Sequence, residues 1–302
     1  MSKLSCEYLE NMKREGKSEN TINSYKYDFK KFENWLINKG LNLDEDIAKI
    51  NFRILNEYKL YLLETLEPIT TNRNLHMLRG FFEYLIDMET IVGSPMARVK
   101  DCKVQKKQRI IPTKEEANNM KEVLRVNKDY SRNSDFLNMR NKLIINMLLG
   151  TGMRNSELRG LKLSDIDNNG NANILGKGNK VRYSKLGETL FKEYKAYLKI
   201  REEVLIKSEI DIDYVFISYR GKQLNKQTLI DIVKDISKES GIDKNITPHA
   251  LRHNFATDLL KETHDIKLVA TALGHADIGT TQIYLHQSNE ELEEALEKHQ
   301  TK

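Results

Sequence analysis

Apolar residues recur along the first third of the chain at helical intervals. Ile22, Tyr25, Phe29, Phe32 and Leu36 fall 3, 4, 3 and 4 residues apart, which lines one face of a helix. Ser18 stands where its hydroxyl can accept an otherwise unpaired first-turn N–H. Ile54, Tyr58 and Tyr61 make a second stripe, and Leu75, Leu78, Phe82 and Leu85 a third, preceded by Pro68 and by Thr70-Thr71-Asn72-Arg73. Gly40, Gly93 and Pro95 interrupt the periodicity. Residues 1–97 are therefore predicted to form a compact bundle of short helices.

The pattern then lapses. From Arg98 to Arg109 there are six basic residues and one acidic residue without apolar periodicity. Residues 98–111 read as a basic linker, and Lys103, Lys106 and Lys107 as candidate contacts to a phosphate backbone. Pro112 and the capping box Thr113–Glu116 open a second region, 112–302, with a new helix. Leu143, Ile144, Met147 and Leu148 give a buried helical face that ends at Gly150-Thr151-Gly152, and a short helix starts at Asn155 or Ser156. Ala172–Leu175 and Lys180–Ser184 flank the turn Gly176-Lys177-Gly178-Asn179, which predicts a hairpin. Asp213–Ile217 reads as a further strand. Leu229, Ile232, Val233 and Ile236 resume the helical period, and 288–302 reads as a tail helix with Leu292, Ala295 and Leu296 on one side. The fold class predicted is mainly α with a small antiparallel β-sheet.

A chain of 302 residues with 39% hydrophobic content can fill two cores. The net charge of +5 points to nucleic acid only weakly. Cys6 and Cys102 have no metal-ligand spacing and read as free thiols in a reducing compartment. Neither a secretion signal nor a run of about 18 apolar residues occurs, so a cytoplasmic location without a membrane partner is expected.

Seven residues of the second region suggest phosphodiester chemistry. Arg154 follows a glycine turn at a helix start, where a guanidinium and backbone N–H groups can hold an anion together. Glu157, three residues on, can orient that arginine or a histidine; an exposed pair of this kind would contribute little. Lys177 lies between two glycines at the hairpin tip, a place for a mobile proton donor or for an ordinary solvated lysine. A P-loop is excluded, since five residues separate Gly170 from Gly176 and Gly178 stands where the loop needs Ser or Thr. Thr247-Pro248 starts a helix on which His249 and Arg252 share a face. His249 and His253 have the i, i+4 spacing of a zinc pair, but Ala250 replaces the acid of the metalloprotease pattern, so no metal site is expected. His275 follows a glycine at a helix end, and Tyr284 comes nine residues later. A tyrosine with an ordinary pKa near 10 needs nearby cations or a base before it can attack phosphate.

In this order the motifs resemble the tyrosine recombinase (phage integrase) family, and its simple Xer-like members in particular. The resemblance rests on Gly150-Thr-Gly-Met-Arg154-Asn-Ser-Glu157-Leu, Gly176-Lys177-Gly178, His249-Ala-Leu-Arg252-His253, Leu273-Gly274-His275 and Tyr284. It spans nearly the whole chain. Tyr183-Ser184-Lys185-Leu186 departs from the usual apolar-Pro-Leu, and Ala270 stands where Gln is common. The resemblance implies an N-terminal helical core-binding (SAM-like) domain and a C-terminal mixed α/β catalytic domain. It implies that Arg154, Lys177, His249, Arg252, His275 and Tyr284 are catalytic, with Glu157 in support. Expected partners are double-stranded DNA and a homotetramer on two DNA sites, with a monomer or weak oligomer without DNA. Neither a cofactor nor a metal is expected. Lys17, Asn72, Arg73 and Arg79 are further candidate DNA contacts, more to phosphate than to bases. A type IB topoisomerase, a non-catalytic DNA-binding regulator and a metal-dependent nuclease are the alternatives.

Overall fold

The computed structural model describes residues 1–104, 110–123, 134–176 and 180–274. The chain divides into two compact units, Met1–Lys107 and Gln108–Lys302.

In the N-terminal unit, helices α1 (Lys3–Arg14), α2 (Glu19–Asn38), α3 (Phe52–Thr65) and α4 (Pro68–Asp87) enclose one core. Each of the first three begins on a side-chain cap. Ser2, Ser18 and Asn51 accept N–H groups that the helix itself leaves unpaired. Helix α4 instead starts on Pro68, whose missing N–H is no loss at the first helical position. Thr70–Arg73 therefore lie inside α4 rather than ahead of it, and α2 and α4 reach 20 residues each, longer than the short helices predicted. The apolar stripes meet in an aromatic centre where Tyr8, Phe29 and Phe81 stand edge-on at centroid distances of 5.1–5.9 Å.

The beginning of the basic stretch belongs to this unit's structure. Val99 joins its core, Lys59 donates to the Lys100 carbonyl, and the Asn72 amide exchanges two hydrogen bonds with the Cys102 backbone. These side-chain anchors carry no periodic signature, which is why the sequence predicts only a basic linker from residue 98.

In the C-terminal unit, α5 (Lys114–Val123) begins on the reciprocal Thr113–Glu116 capping box, both of whose hydrogen bonds form. Helix α6 (Ser134–Thr151) packs on α8 (Glu188–Ser208) and α10 (Pro248–Thr263). Between them lie the short α7 (Asn155–Gly160) and the antiparallel hairpin of β1 (Asn171–Leu175) and β2 (Val181–Lys185). Helices α9 (Lys226–Glu239) and α11 (Ile266–Leu273) complete the described part.

One expectation is corrected here, and one element is added. Asp213–Ile217 is not a strand. It is held by the isolated bridges Lys162–Tyr214 and Ile217–Gln223 and by the hydrogen bonds of Leu163 and Val215 on either side. A run of this length satisfies its backbone against loops as well as against a ladder. Helix α8 was missed, because its inward stripe of Tyr194, Tyr197 and Leu205 is interrupted by a buried arginine, Arg201. Arg201 donates to the carbonyls of Ile212 and Tyr214, and so pins the extended segment onto the helix.

Candidate active site

The turn Gly150–Arg154 joins α6 to α7 and fixes the first site residue. Gly152 has φ +58°, and a Cβ there would lie 2.3 Å from the Phe255 ring of α10. Only glycine allows both the left-handed turn and the close approach. The turn delivers Arg154 to the N-cap of α7, with a third of its side chain exposed. Glu157, at the third position of α7, returns to accept the Arg154 backbone N–H at 2.9 Å.

Glu157 is the centre of the site. Its side chain is only 2% exposed, and three guanidinium groups converge on it. Arg154 Nη1 donates to Oε1. Arg182, from β2, donates from Nη2 to Oε2 at 3.1 Å, and Arg252 Nη1 of α10 stands 3.7 Å from Oε2. Burial pushes the Glu157 carboxyl up, but the Arg154 N–H and the Arg182 and Arg154 guanidinium groups outweigh it and hold the pKa below the ordinary value. Arg252, itself 2% exposed, donates to the Gly152 carbonyl and to the Leu273 carbonyl at the end of α11. The site is thus assembled from α7, β2, α10 and α11, which the chain supplies far apart.

Thr247 caps α10 by accepting the Ala250 N–H, and Pro248 occupies the first position. His249 is therefore set on the first turn, exposed, with its Nε2 3.1 Å from Nε2 of the buried His253. One ring donates and the other accepts, so His253 fixes the orientation of His249. Among the described residues no group of three or more His, Cys, Asp or Glu side chains is arranged to hold a metal ion.

Of the residues singled out from sequence, Arg154, Glu157 and Arg252 come together, and His249 lies on the same helix as Arg252. Lys177, His275, Tyr284, Lys106, Lys107 and the tail helix 288–302 lie outside the described residues. The remaining candidates lie in the N-terminal unit. Arg73 donates to the buried Asp28, Arg79 to the Val99 carbonyl and Asp101, and Asn72 to the Cys102 carbonyl. Lys17 is 3.8 Å from Glu15, and Lys103 is exposed.

Arg182 was not anticipated. The alternation Val181-Arg182-Tyr183 suggests the apolar pair as the inward face. The structure reverses this, exposing Val181 and Tyr183 (62% each) and burying Arg182. The available signal was its partner across the hairpin, the inward Ile174, because directly paired residues share a sheet face.

The sequence profile of the phage integrase family matches residues 113–291, and that of the phage integrase N-terminal SAM-like domain matches residues 6–89. The chain is 33% identical to tyrosine recombinase XerD of Shewanella oneidensis, over 94% of this chain and 91% of that protein. It is 34% identical to the XerD of Listeria innocua, over 90% and 89%. The chain belongs to the phage integrase family. It is a site-specific tyrosine recombinase, an enzyme that cleaves and rejoins DNA. Among solved structures, the XerH site-specific recombinase bound to a palindromic difH substrate, a post-cleavage complex, superposes with a TM-score of 0.73 at 28% identity. The match covers 91% of this recombinase and 78% of that chain. These relatives do not favour the topoisomerase or the non-catalytic regulator. No described helix of the recombinase is long and apolar enough to cross a membrane.

Proposed function

We propose that Tyr284 attacks the scissile DNA phosphate, forming a 3′-phosphotyrosyl ester and releasing a 5′-hydroxyl. Arg154 and Arg252 stabilise the charge that builds on the non-bridging oxygens, a task for which planar guanidinium groups are suited. Lys177 protonates the leaving 5′-oxygen. His249, oriented by His253, takes the phenolic proton, and His275 hydrogen-bonds the phosphate. The ester conserves the bond energy, so the 5′-hydroxyl of a partner strand reverses the step without ATP and gives exchange through a four-way junction.

The observation that carries this reading is the convergence of Arg154 and Arg252 on one buried carboxylate. Three cations against one carboxylate leave the described part of the site with excess positive charge, which suits an anionic substrate. Residues 1–97 would act as the core-binding domain, 98–111 as a DNA-tracking linker, and 112–302 as the catalytic domain with its tail helix at 288–302. Four protomers would act on two double-stranded sites in the cytoplasm, in Xer-like resolution or in mobile-element integration and excision. XerH, whose structure was solved on its difH substrate, supports the assignment of a DNA partner.

Tyr284→Phe removes only the hydroxyl. The variant is expected to bind target DNA as the parent does and to form no covalent protein–DNA adduct on a nicked duplex. An adduct formed by this variant would remove Tyr284 from the mechanism.

A further inference from the structure

The proposed mechanism gives Arg154 and Arg252 a task at the phosphate but leaves one buried cation of the cluster without a role. Arg182 is 8% exposed, and both terminal nitrogens are engaged within the protein. Nη1 donates to the Ala272 carbonyl at 2.6 Å, and Nη2 to Glu157 Oε2 at 3.1 Å and to the Thr151 carbonyl at 3.4 Å. Nε is buried without a hydrogen-bond partner among the described residues. The side chain also lies against the C-cap of α11. A Cβ on Gly274, which has φ +63°, would meet Arg182 Cδ at 2.7 Å.

This pattern is costly for a stabilising ion pair. A buried charge with an unpaired donor loses hydration that its partners do not fully replace, and Arg182 adds a third guanidinium to a single carboxylate. An apolar residue would suit the inward face of the hairpin, where Ile174 is its cross-strand partner. What an apolar residue could not supply is a link between three segments: the turn before α7, strand β2 and the carboxyl end of α11.

We propose that Arg182 is a positioning residue of the recombination site, holding the Glu157 carboxylate against Arg154 and Arg252 while tying β2 to the end of α11. The inference rests on the reading that Arg154 and Arg252 bind the scissile phosphate. Arg182 donates from its terminal nitrogens to Glu157 and to two carbonyls, which gives it a direct hold on the carboxylate and on the segments around it. It acts through Glu157. Fixing Oε2 fixes the direction in which Arg154 and Arg252 present their remaining donors. Its anchor on Ala272 also holds the carboxyl end of α11 against β2.

The test uses the full-length protein and a nicked duplex carrying a target site, selected from a randomised duplex pool by binding to Tyr284→Phe. Single-turnover adduct formation is followed at saturating protein. Partial unfolding then lowers the amount of complex but not its first-order rate constant. Arg182→Lys and Arg182→Gln are compared with the parent, each also in a Glu157→Gln background. The expected result is DNA affinity close to the parent's and a rate constant about a hundredfold lower, the size of effect produced by roughly an ångström of misplacement. In the Glu157→Gln background most of that loss should disappear. An unchanged rate constant overturns the proposal, as does the same fold-loss in both backgrounds. Failure of both variants to form any complex would assign Arg182 to folding alone and overturn it too. Absence of adduct with the parent protein would instead count against the proposed function.

Discussion

Each unit of this recombinase buries a carboxylate, and the two carboxylates behave in opposite ways. Asp28 of the N-terminal unit is 1% exposed and, among the described residues, forms an ion pair with Arg73, which is itself about half exposed. Its Oδ2 has no hydrogen-bond partner among the described residues. Burial wins, and the Asp28 carboxyl is pushed above its ordinary value despite Arg73. Glu157 of the C-terminal unit is buried as well, yet its carboxyl is held below the ordinary value by a backbone N–H and the neighbouring guanidinium groups. Burial alone does not set the sign; the number of donors aimed at the carboxylate does. The N-terminal unit tolerates a poorly matched charge, whereas the catalytic unit is organised around a well-matched one.

The largest break in this contrast should come from Glu157→Gln. Neutralising Glu157 leaves Arg182 and Arg252 buried without a counter-charge, a loss of about 3–5 kcal/mol. Hydrogen exchange should show that loss in α7, α10 and the hairpin but not in α1–α4. Protection unchanged in the C-terminal unit would mean that Glu157 does not organise the cluster.

The pH dependence sharpens the comparison. With its folded pKa depressed, Glu157 contributes stability that is fully present above the unfolded value of about 4.3. That contribution is lost as pH falls through the lower folded value. Asp28 has the reverse sign. With its folded pKa raised, it makes the N-terminal unit lose stability as pH rises from the unfolded value of about 3.9 through the folded one. Trp35 is the only tryptophan of the chain and is buried in the N-terminal unit, so its fluorescence reports that unit's unfolding. Comparing parent with Asp28→Asn by this signal should isolate the Asp28 contribution. Exchange protection of α7, parent against Glu157→Gln, should isolate that of Glu157. Slopes of the same sign for both carboxylates would break the contrast.

The smallest effect is expected from Asp28→Asn at pH 7. Losing the pair with Arg73 is offset by no longer burying a charge, so the change should stay within about 1 kcal/mol in denaturant melts read at Trp35. A loss several times larger would show that the Arg73 pair, and not burial, governs Asp28.

Much of this molecule was legible in order along the chain. Ser18, Thr113 with Glu116, and Thr247 with Pro248 announced three helix starts, and each forms as its side chains require. The hairpin followed from a glycine turn between two short runs. Helix α8 and Arg182 were not legible, for one shared reason. Each buries an arginine on an apolar face, and no sequence pattern says which carbonyls will receive its donors. Asn72, Arg73 and Arg79, read as DNA contacts, each have partners within the N-terminal unit, in segments that periodicity does not connect.

The sequence by itself determined several of the helix starts, most of the stripes that fill two cores, and the ordered motifs that mark the family. All of these depend on residues a few positions apart. Tertiary structure alone decided that Glu157 would be buried rather than a surface partner of Arg154, and that Arg182 and Arg252 would join it. Those facts depend on α7, β2 and α10 arriving at one place, and the charge balance there is set by distances in space, which spacing along the chain does not encode.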